Sequence, residues 1–187
     1  MPEPWSQFAT TLLLAASVTV LLAAVATDVA FRRVPNALPA ILATIGLLLR
    51  AIAGSLSGGM VAALAMFAMA AFCWRRGWIG GGDVKLLAAT ALTVPPLRAP
   101  AFLLAVALAG GVLAVLYLLL SGLLAGRAHP YPPPRHPTHS HGSRLLDQTR
   151  DLLSRILRIE RWRIRHRGSL PYAAAIAAGA LFTLMKQ

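Results

Sequence analysis

Cysteine and acidic residues are scarce in this 187-residue chain, and each scarcity narrows what it can be. A single thiol, Cys73, makes neither an internal disulfide nor a cysteine-built metal site, so a disulfide scaffold is excluded. Charged residues make up 13% and hydrophobic ones 57%, with a mean hydropathy of +0.66, too apolar for an ordinary water-soluble domain. Six Asp and Glu stand against 18 Lys and Arg, a formal net charge of +12. Beside long apolar runs, that imbalance points to the inner side of a membrane protein, and no nucleic-acid partner is expected.

What is present is a series of apolar runs. Crossing a hydrocarbon core of roughly 30 Å takes about 20 residues of helix. Residues 8–29, 37–53, 58–74 and 99–124 read as spans, and a last one covers 171–185. Residues 83–94, after the glycines at 80–82 and before Pro95 and Pro96, make an element of about half the needed length. The opening MPEPWSQ has no basic residue and the following run outlasts a signal-peptide core, so it reads as a retained helix. The expectation is an all-α, polytopic membrane bundle of about six transmembrane elements. Its parts would be helices one to five over 1–125, a basic cytoplasmic loop over 126–168, and the last helix over 169–187.

Cations set the orientation. Arg32, Arg33, Arg75, Arg76, Lys85 and ten arginines between Arg127 and Arg167 fall on one side, fifteen in all; Arg50, Arg98 and Lys186 fall on the other. This places the N-terminus outside and the chain in the inner, cytoplasmic membrane. Within the long loop, HPYPPPRHPTHSHG cannot continue a helix. The stretch after it sets Leu145, Leu152, Ile156 and Ile159 near helical spacing among arginines, with Trp162, as an amphipathic helix on anionic lipid would. Histidines 129, 136, 139 and 141 lie in the proline-broken part, which offers no fixed geometry, so no metal site and no cofactor are expected.

Of the six acids, Glu3, Asp147, Asp151 and Glu160 are in water or in the basic loop. Asp28 and Asp83 sit at the ends of apolar elements, where a carboxylate is costly unless paired, hydrated or functional. Both fall at the inner boundary. Two carboxylates brought close do not easily both ionise, so one keeps a proton while the other takes one from water, the arrangement that hydrolyses a peptide bond. Gly80, Gly81 and Gly82 before Asp83 leave a bare backbone that an extended peptide or a neighbouring helix can approach. The simpler reading is a pair of interfacial ion pairs, Asp28 with Arg32 and Asp83 with Lys85.

The string Gly80-Gly81-Gly82-Asp83-Val84-Lys85-Leu86 fits a GxGD signature with its following lysine, and Asp28 is followed by Arg32-Arg33-Val34-Pro35-Asn36. Together with Leu170-Pro171-Tyr172 and the alanine-rich run to Gly179, these residues resemble the type IV prepilin peptidases, GxGD membrane aspartyl proteases. The resemblance implies removal of a short basic leader from a prepilin at the cytoplasmic membrane face, with Asp28 and Asp83 catalytic. It casts Gly80, Gly81, Gly82, Lys85, Arg33, Pro35 and Asn36 as supporting or substrate-binding residues. Bifunctional members carry paired CxxC motifs and also methylate the new N-terminus. This chain has only Cys73, so it is similar to the short TadV/CpaA-like form of the Flp-type pilus systems, without methyltransferase activity. Partners implied are a prepilin, anionic lipids at the basic loop and pilus assembly machinery. An alternative is a proton- or cation-coupled transport component using the same acids, weakened because both lie at one interface. A third, an anchoring protein working through its basic segment, leaves Gly80 to Asp83 unexplained.

Overall fold

The computed structural model describes residues 4–31, 33–125 and 172–185. The described residues are helical, without strands: α1 (Pro4–Phe31), α2 (Ala37–Ile52), α3 (Leu56–Arg75), α4 (Gly81–Thr93), a 3-10 turn (Pro96–Arg98), α5 (Ala99–Ala125) and α6 (Tyr172–Leu184). Each of the six apolar runs is a helix, and the all-α membrane class stands. Three stretches, Trp5–Phe31, Leu56–Arg75 and Pro96–Leu120, are long and apolar enough to cross a membrane. With 16, 13 and 13 residues, α2, α4 and α6 reach only about 24, 20 and 20 Å, short of a full hydrocarbon core. The Pro/His tract, its histidines and the expected amphipathic helix lie outside the described residues.

The chain forms two compact units, Met1–Leu113 with Pro171–Gln187, and Ala114–Leu170. Of the second, the described part is the helical stretch Ala114–Ala125 that ends α5.

In the first unit α4 is the core. Eight of its 13 residues are buried, among them Val84, Leu86, Leu87 and Leu92, and it packs on α2, α3 and α6. Its apolar residues run all round, the pattern of a helix enclosed by others. The hydroxyls of Thr90 and Thr93 stay satisfied in that setting by donating to Leu86 O and Thr90 O, both at 2.7 Å. In hydrocarbon, burying a leucine brings no transfer gain, so close approach must hold such a bundle. Gly46 of α2 supplies it: a Cβ there would lie 2.5 Å from Leu92 Cβ. Gly179 of α6 does the same on α5, where a Cβ would lie 2.8 Å from Val106 N. Outward, Leu64, Phe67 and Phe72 of α3 and Leu104 and Leu108 of α5 are exposed, a surface suited to lipid.

The helix ends follow local chemistry. After α2, Ser55 N–H reaches Arg50 O and Gly54 N–H reaches Ala51 O; after α3, Trp78 N–H reaches Cys73 O and Gly77 N–H reaches Trp74 O. These Schellman closures need a left-handed residue, supplied by Gly54 (φ 61°) and Gly77 (φ 74°). Helix α4 stops because Val94, forced extended ahead of Pro95, cannot continue it.

Arg50, read from sequence as a cation closing the second span, is buried instead, 6% exposed. Its stem lies across Gly59 of α3, where a Cβ would be 2.6 Å from Arg50 Cγ, and Nη1 donates to Ser55 Oγ at 3.3 Å. Its Nε is buried without a hydrogen-bond partner among the described residues.

Candidate active site

Asp28 lies in the last turn of α1 and is 8% exposed. Its Oδ2 accepts the backbone N–H of Ala173 at 3.3 Å. Ala173 is the second residue of α6, so this N–H is one that no carbonyl of its own helix can satisfy. An acid at a helix N-terminus is also favoured by the peptide dipoles. The sixth helix thus begins on the carboxylate that ends the first.

Asp83 is the third residue of α4, and Gly80 is its N-cap. The Asp83 carboxylate folds back to receive a backbone hydrogen bond from Gly80, the acid half of a capping box. Folding back requires a bare N-cap, since a Cβ on Gly80 would sit 3.0 Å from Asp83 Oδ2. Asp83 lies outside the three membrane-length stretches, and its pKa is raised from 3.8 to about 6. Burial is the larger cause, the negative charge of Asp28 the second, and the Gly80 hydrogen bond opposes both. The two acids are therefore electrostatic neighbours although 55 positions separate them in the chain.

The stretch after Asp28 meets the stretch after the glycines. At Gly82 a Cβ would be 3.5 Å from Val34 Cβ, and at Gly81 it would be 3.4 Å from Trp74 Nε1. Lys85 Nζ donates to Asn36 Oδ1 at 3.0 Å, tying α4 to the start of α2. Asn36 is the N-cap of α2, but its side chain makes no cap and serves this bridge instead. Pro35 is exposed, and its carbonyl accepts the Leu38 N–H at 3.1 Å, turning the chain into α2. Arg33 is exposed and makes no hydrogen bond or ion pair among the described residues. Thus Val34 and Asn36 are brought onto the glycine motif while Arg33 is not.

Of the two ion pairs of the simpler reading, Arg32 lies outside the described residues, and Lys85 bonds to Asn36 rather than to Asp83. Sequence reasoning missed two groups, the Ala173 N–H and the Trp74 indole. Ala173 had a usable signal, because the Pro171-Tyr172 pair marks a helix start and hence unpaired N–H groups. Trp74 had none. Among the described residues no three His, Cys, Asp or Glu side chains form a set that would hold a metal ion.

The bundle, with three helices long and apolar enough to cross a membrane, thus makes neighbours of two acids, one held by a helix N-terminus and one by a glycine turn. The chain belongs to the type IV leader peptidase family, whose pattern matches residues 15–115, just over half its length. Membership implies a protease, and both acids lie inside the matched region. No curated protein and no solved structure matches the chain.

Proposed function

We propose that the chain is a membrane aspartyl endopeptidase that removes the leader from Flp-type prepilins, with Asp28 and Asp83 activating water between them. The observation that carries this is the convergence of two acids distant in sequence, close enough for the charge of Asp28 to raise Asp83. The pair titrates as a unit, and burial together with the charge of Asp28 favours the protonated form of Asp83 over that of a free carboxyl. Both carboxylates accept a backbone N–H, so the two roles are shared within the pair: the ionised acid takes the proton of the attacking water. The protonated acid donates to the carbonyl oxygen of the scissile bond. When the tetrahedral intermediate collapses and the C–N bond breaks, the proton taken from water goes to the leaving amine, and one hydroxyl proton of the intermediate returns to the acid that donated, which restores the singly protonated pair.

The fifteen-to-three division of cations supports placing the acids at the cytoplasmic face of the inner membrane. The basic stretch 126–168 serves contacts with anionic lipid or pilus assembly partners, and without paired CxxC motifs no N-methylation is proposed.

The test is cleavage of a co-expressed Flp-type prepilin. Asp28→Asn and Asp83→Asn, each nearly isosteric, lower processing by at least about a hundredfold while the protein stays membrane-inserted. Normal processing by either variant overturns the acid-pair mechanism.

A further inference from the structure

A groove of about 540 Å³ opens between α2, α3 and α4. Asn36 and Lys85, the bridged pair, line it together with Pro39 and Ala43 of α2, Leu64 and Phe67 of α3, and Ala88 and Leu92 of α4. It therefore starts two residues beyond Asp83 and continues along the same helix away from the acids. We propose that this groove seats the apolar helix of the membrane-anchored substrate, the segment that follows the cleaved bond. The inference rests on the peptidase reading and adds to it where the retained part of the substrate lies.

Three features favour this occupant. From Lys85 to Leu92 the groove follows α4 for about 10 Å, two turns of helix, and two turns of a helix about 10 Å wide fill roughly 800 Å³. The groove thus takes one face of such a helix and leaves the other to lipid. Its walls on α2 and α4 carry alanines, which let another helix backbone come close in hydrocarbon, where packing is the available attraction. On the third side, Leu64 and Phe67 are 61% and 45% exposed and stand free to pack on what enters. The groove begins beside the acid pair, so a peptide seated in it brings its scissile carbonyl to the acids, which a lipid tail does not.

The test uses the full chain in membranes with a Flp-type prepilin. A photo-crosslinking residue replaces Leu64 or Phe67 in an Asp83→Asn background, and Leu104 on α5 serves as control. Adducts to the prepilin from positions 64 and 67, and none from 104, are expected. Adducts to lipid alone, or equal prepilin adducts from all three sites, overturn the groove assignment while leaving the peptidase reading intact if the unsubstituted chain cleaves. If the unsubstituted chain leaves the prepilin uncut, the peptidase reading fails, and this proposal with it. Independently of crosslinking, Ala43→Leu in the active chain narrows the groove and raises KM for the anchored substrate about tenfold. A KM within about twofold of the parent's overturns the proposal.

Discussion

Adding one methyl group at Gly80 separates what the acid site needs from what the sequence pattern alone would ask for. The Gly80 backbone, at φ −77° and ψ 149°, suits alanine, so Gly80→Ala carries no backbone strain. Its Cβ, however, would stand 3.0 Å from Asp83 Oδ2, several tenths of an ångström inside ordinary contact. The carboxylate must turn away, at about 0.5–1.5 kcal/mol if it leaves its rotamer well, and it loses its alignment on the partner acid. Because a 1 Å misplacement of a reacting group can cost about a hundredfold, a shift of a few tenths predicts a kcat about tenfold lower, with stability lowered by about 0.5–1.5 kcal/mol. Gly81→Ala and Gly82→Ala meet only ordinary contacts, at 3.4 Å to Trp74 Nε1 and 3.5 Å to Val34 Cβ, and retain kcat within about threefold. The pattern GxGD ranks positions 80 and 82 together and leaves 81 free; the geometry singles out 80. The assay is the time course of prepilin cleavage by purified protein, with thermal melting to establish folding. Equal kcat for Gly80→Ala and Gly82→Ala in folded protein refutes the argument.

Three further outcomes follow from the packing and electrostatics. Asp83 holds its proton more tightly folded than unfolded, so between pH 3.8 and about 6 the folded state binds more protons and stability falls as pH rises through that window. Thermal melting across pH detects the slope, and Asp83→Asn flattens it. Gly179→Ala drives a methyl into the Val106 backbone, destabilises by about 1–3 kcal/mol in detergent unfolding, and lowers cleavage further by displacing the α6 turn that reaches Asp28. Arg50→Met removes a buried guanidinium whose Nε has no partner among the described residues. It leaves unfolding stability unchanged or raises it by about 1–2 kcal/mol, and a loss above about 2 kcal/mol refutes the idea that this charge is under-satisfied.

The elements were legible because each was marked by a local rule. The Pro95-Pro96 pair stopped α4, and apolar run lengths located the helices. Asp28 and Asp83 stood out because acids are few and these two lie at the ends of apolar runs. What could not be read was lateral: which helix faces which. That Gly46 seats Leu92, or that Val34 covers Gly82, depends on complementary shape between segments far apart in sequence, and such contacts leave no periodicity. Arg50 shows the same limit, because a cation at a helix end reads as a loop marker until the bare surface of Gly59 is seen beneath its stem.

The hydrogen bond from Ala173 to Asp28 joins residues 145 apart, so part of the acid site is supplied by chain lying beyond the region matched by the family pattern. In polymer terms this contact closes a long loop. The entropy of closing a flexible loop grows only with the logarithm of its length, about 0.6 kcal/mol for each doubling. The first turn of α6 must return to Asp28, and the number of residues between the two partners enters the cost of that return only through a logarithm.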